Sequence, residues 1–92
     1  MLAVCAYAIQ PTDQWAEQVR YANALLDGGE FDKAVAVYAS ALESARAAGD
    51  HVRAAIALHN LGRVFDRKGQ LRQAEQAHLR AIEALNRARH YR

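Results

Sequence analysis

Four histidines and one cysteine (His51, His59, His78, His90 and Cys5) are the side chains of this chain best suited to metal binding or nucleophilic chemistry. Their spacing matches no familiar site. No HExxH helix and no glycine-rich phosphate loop occurs, and Cys5 has no base near it in the sequence. His51 and His59 stand eight residues apart and would share a helical face, yet no carboxylate accompanies them at a matching interval, so neither a metal nor a cofactor is expected. His78 reads as a hydrogen-bonded core or interface histidine. The basic residues Arg63, Arg67, Lys68, Arg72, Arg80, Arg87, Arg89 and Arg92 could contact phosphates. They lack interleaved aromatics for base stacking, and an acidic first half would repel a long polyanion, which argues against a nucleic-acid partner. The residues point to binding rather than to an enzyme.

The elements that position these residues are helical. Of the 92 residues 52% are hydrophobic but only 8% aromatic, so the apolar content is mostly alanine, a strong helix former that gives close, thin cores. Apolar spacing and stop signals predict four helices, over residues 13–27, 32–48, 51–67 and 71–88. Pro11 ends the apolar stretch 2–9, Thr12 is placed to cap the first helix, and Asp50 to cap the third. Gly28-Gly29, Gly49-Asp50 and Gly69 mark the turns. The apolar stretch has no positive flank and is far shorter than the roughly 20 residues that span a bilayer, so no membrane role is expected. A single cysteine rules out an internal disulfide framework and suits a reducing, cytoplasmic setting. Charge is divided unevenly: residues 1–50 carry a balance of −4 and residues 51–92 a balance of +6, a polarity that suits an acidic partner or contacts between copies.

The stretch LHNLGRVFDRKGQLRQAEQAHLRA, residues 58–81, reads as a helical hairpin. Small residues, Gly62 and Ala74 above all, stand where two helices must approach closely. The same pattern occurs 40 residues earlier. Tyr21, Ala22 and Leu25 answer Leu61, Gly62 and Phe65; Gly29 answers Gly69; Ala34, Tyr38 and Ala41 answer Ala74, His78 and Ala81. Gln18, opposite Leu58, is the mismatch. With Leu58, Leu61, Gly62 and Phe65 on one helix and Ala74 and Ala81 on the next, the hairpin resembles a tetratricopeptide repeat, His78 replacing the usual aromatic. The 40-residue period resembles the longer subclass found in scaffold and motor-adaptor proteins, and the resemblance covers about 75 of the 92 residues.

That resemblance implies an all-α fold of two hairpins, four antiparallel helices in a short right-handed superhelix. The chain divides into an apolar segment 1–11, repeats 12–48 and 49–88, and a basic tail 89–92. It further implies a scaffold or adaptor that binds a protein or peptide in a concave groove lined by the first helix of each hairpin. The groove stripe holds Arg20, Asn23, His59, Asn60, Arg63 and Arg67, beside Val19, Leu26 and Ile56. Asparagine amides can bond a peptide backbone and arginine forks match carboxylates, so an acidic peptide or chain terminus is the expected ligand. Asn23 and Asn60 also match two asparagines of the carboxylate clamp of some co-chaperones; Val19 stands where that clamp has lysine, which counts against chaperone binding. Two stacked repeats leave the last helix uncovered. Self-association through Leu79, Ile82 and Leu85, giving a homo-oligomer, is the second functional reading.

Overall fold

The computed structural model describes residues 13 to 90. The apolar stretch 2–9 lies outside the described residues, and the cap of the first helix is Asp13, one residue after the Thr12 expected above. Among the described residues four helices follow one another: α1 (Gln14–Asp27), α2 (Phe31–Ala47), α3 (His51–Lys68) and α4 (Leu71–His90). Each packs on the next in the chain, α3 against α4 most extensively. The fold is all-α, two helical hairpins placed side by side.

Local chemistry explains the boundaries. The Asp13 carboxylate accepts from the Ala16 amide at 3.2 Å and opens α1; Asp50 accepts from the Arg53 amide at 3.0 Å and opens α3. Both satisfy amides that a helix start leaves without a partner. The three turns close alike. The amides of Glu30, Asp50 and Gln70 donate to the carbonyls of Leu25, Ala45 and Phe65 at 2.9, 2.9 and 2.8 Å, so the chain turns at intervals of 20 residues. Gly69 sits at φ +80°, the left-handed conformation in which its amide reaches the Asp66 carbonyl and which other residues adopt only with strain. α4 runs two residues past the expected end, to His90.

The core lies along the seams between successive helices and is built largely of alanine, with Leu26, Tyr38 and Val64 the largest fully enclosed side chains. Gln18, the mismatch in the repeat, is half-buried and its amide reaches the Ser40 hydroxyl at 3.5 Å, a polar contact where its counterpart Leu58 is buried. Gly62 does make room on α3, but for His78. A Cβ placed on Gly62 would lie 2.4 Å from the His78 ring, so the close approach involves an imidazole one turn beyond Ala74. That ring is half-buried and is held at Nε2 by the Asp66 carboxylate at 3.2 Å, which accounts for a histidine in an aromatic position.

Charged clips join the two hairpins. The Arg53 guanidinium grips Asp13, with one nitrogen 3.1 Å from an oxygen, and lies 4.8 Å over the Trp15 ring. Lys68 Nζ donates to Asp32 at 2.7 Å. Asp13 is held below the usual carboxylate range by the Ala16 amide and by Arg53, and Asp32 by Lys68. A carboxylate depressed in the folded state contributes stability above its unfolded value, near 3.8, and loses that contribution as pH falls through the folded value. Thermal melts from neutral pH downward are therefore expected to fall most steeply below pH 3.8, and Asp32→Asn to flatten that acid limb.

Candidate functional site

Asn23 on α1 and Asn60 on α3 place the candidate site. The Tyr38 hydroxyl, rising from α2, donates to Asn23 Oδ1 in a short bond. Arg63, one turn beyond Asn60 on α3, donates from Nη1 to Asn60 Oδ1 at 3.2 Å. Tyr38 and Arg63 also feel each other: burial pushes the tyrosine hydroxyl above its ordinary value, Arg63 opposes that, and Asp27 adds to it. Asn23, Tyr38, Arg63 and Asn60 thus form one polar strip across both hairpins. Tyr38 is its hidden member. It was not legible as a site residue, although a tyrosine 15 positions after Asn23 falls opposite it once a short-turn hairpin forms.

The strip presents one kind of group. Both asparagine carbonyl oxygens are taken up inside the chain, so among the described residues the Asn23 and Asn60 amide nitrogens and the remaining Arg63 nitrogens are left without protein acceptors. The amide and guanidinium nitrogens are donors only. Asn23 is half-buried and Asn60 is 8% exposed, so their amides are held in place, while Arg63 is exposed. Such fixed donors suit carbonyl and carboxylate oxygens.

The other expected groove residues divide. Arg20 is exposed on α1, and His59 is exposed on α3 with its ring 5.2 Å from that of His78. Arg67 is used within the chain: Nη1 donates to the Leu26 carbonyl at 3.0 Å, and the guanidinium lies 5.4 Å over the Phe31 ring. It ties α3 to the end of α1. Arg67→Ala is expected to cost about 1–2 kcal/mol, the sum of a charged hydrogen bond and a partly exposed cation–π contact, measurable by urea unfolding.

Next to His59 and Asn60 the seam between α3 and α4 opens into a cleft of about 400 Å³, walled by Ala55, Ile56, His78, Ala81, Ile82 and Leu85. It joins the two groups of residues that the sequence presented separately, the groove stripe and the apolar edge. Ile56, Leu79, Ile82 and Leu85 are all exposed large side chains. Among the described residues no three His, Cys, Asp or Glu side chains gather as metal ligands, and no helix is long and apolar enough to cross a membrane.

The tetratricopeptide repeat profile matches residues 16–87, which takes in all four helices. No curated protein and no solved structure matches the chain. Helical hairpins joined by glycine turns, small residues at the seams and this match over most of the length agree, and the chain belongs to the tetratricopeptide repeat family, whose members serve protein–protein interaction.

Proposed function

We propose that the domain holds an acidic segment of a partner protein against the strip formed by Asn23, Tyr38, Asn60 and Arg63, with Arg20 and His59 at its margins. The observation that carries this reading is the one-sidedness of the strip. Its asparagine oxygens already accept from Tyr38 and Arg63, while its amide nitrogens have no acceptor among the described residues, so a segment rich in carboxylates and backbone carbonyls finds donors there. Packed helices hold these groups in advance, so binding orders mainly the ligand. The role is recognition, without a catalytic step.

An array of immobilised peptides graded in Asp and Glu content tests it. Retention of the wild-type domain is expected to rise with acidic content and to fall with added salt. Arg63→Glu, on an exposed position that need not disturb the core, is expected to abolish that trend. Retention independent of acidic content, or unchanged in Arg63→Glu, would overturn the reading.

A further inference from the structure

The internal repeat identifies which face lacks a cover among the described residues. On α2, Leu42 is 7% exposed and Ala45 2%, because α3 packs across them. Forty residues later the corresponding side chains on α4, Ile82 and Leu85, are 55% and 47% exposed. Leu79, one turn before Ile82, is exposed as well. A helix lying on α4 as α3 lies on α2 would cover all three. The question is which helix.

The sequence of α4 answers it by its symmetry about Ile82. Leu79 and Leu85 stand three residues to either side, His78 and Asn86 four, and Glu75 and Arg89 seven. Offsets of three, four and seven share one helical face, and apart from the half-buried His78 these residues are exposed. When two such helices cross antiparallel with Ile82 at the centre, Leu79 of each meets Leu85 of the other. His78 then lies opposite Asn86, and Glu75 opposite Arg89. A parallel pairing would set Glu75 against Glu75 and Arg89 against Arg89, and would align the helix dipoles unfavourably. We propose that a second copy of this chain covers α4, the two α4 helices packing antiparallel about a two-fold axis at Ile82, with the apolar side chains of each bordering the α3–α4 cleft of the other.

The competing arrangement, a second copy continuing the stack with its α1 on this α4, has little to offer. The α1 counterparts of Leu58, Leu61 and Phe65 are Gln18, Tyr21 and Leu25. Gln18 is polar and Leu25 is already 7% exposed, which leaves Tyr21 as the one apolar contact. The antiparallel pair also closes, whereas a head-to-tail contact would propagate into a filament. This dimer does not depend on the acidic-segment reading.

Light scattering and sedimentation equilibrium from micromolar to sub-millimolar concentration test it. The wild type is expected to reach twice the mass of one chain and stop there. Ile82→Glu is expected to raise the dimer Kd about 100-fold or more, as loss of a central apolar contact does. Glu75→Arg is expected to raise it about tenfold, and Glu75→Arg with Arg89→Glu to restore it to within about twofold, since the pair is only exchanged. Circular dichroism at the dilute end checks that each variant keeps its helices. Ile82→Cys in a Cys5→Ser background adds a register readout, because residues on a two-fold axis form an intermolecular disulfide under mild oxidation. A single-chain mass at every concentration, masses beyond the dimer, or a dimer that Ile82→Glu and the charge reversals leave unchanged would each overturn the proposal. Arg63→Glu is expected to leave the dimer intact, so failure here and failure of peptide retention are separate results.

Discussion

Replacing Tyr38 by alanine is expected to lower the unfolding free energy by about 3–5 kcal/mol, the cost of emptying a large, fully enclosed site. A domain of this length has about 5–10 kcal/mol in total, so the variant is expected to lose about half of its stability. Two contributions can be separated with Tyr38→Phe. That variant keeps the ring but leaves Asn23 Oδ1 without its donor, and is expected to cost about 1 kcal/mol in urea unfolding followed by circular dichroism. The alkaline limb gives an independent check. Burial raises the Tyr38 hydroxyl above 10.0, so the folded state retains its proton where the unfolded chain loses it. The stability this brings is complete below pH 10.0 and is lost as pH rises through the folded value. Tyr38→Phe is expected to remove that decline, and an unchanged alkaline limb would show that another group causes it.

A second large effect separates two positions that the repeat makes equivalent. Leu42→Ala is expected to cost about 2–4 kcal/mol, because α3 covers this side chain and cannot collapse into the space it leaves. Ile82→Ala, measured in dilute solution, is expected to cost less than about 1 kcal/mol, since more than half of the side chain already meets water. The contrast follows from position in the stack. Leu42 has a following helix and Ile82 has none among the described residues. Urea midpoints of the two variants at low and high protein concentration measure it directly. Equal losses at the lowest concentration would mean that α4 is covered even there, and by something other than a weakly held second copy.

Much of the architecture was legible because helix signals are local. Asp50 before His51, the glycines at 29, 49 and 69, and alanine at 34, 41, 74 and 81 each act within a turn or two of their own position, and observed boundaries differ from the expected ones by at most two residues. The 40-residue offset paired Ala22 with Gly62 and Tyr38 with His78, and all four lie along the seams. The uses of particular polar atoms were not legible in this way. Arg67 was expected as a groove cation, and its reach back over 41 residues to the Leu26 carbonyl could not be read from the sequence. Gly62 looked like the partner of Ala74 and instead gives space to an imidazole. Asn23 and Asn60 were recognised as peptide-binding types, but that their oxygens are taken up by Tyr38 and Arg63 depended on side chains arriving from other turns. Periodicity and caps are short-range properties of one helix, and they determined the number, length and apolar faces of the helices here. Which side chain meets which across a seam depends on how the helices cross, and crossing is a property of the packed molecule, set by the volumes of many residues at once.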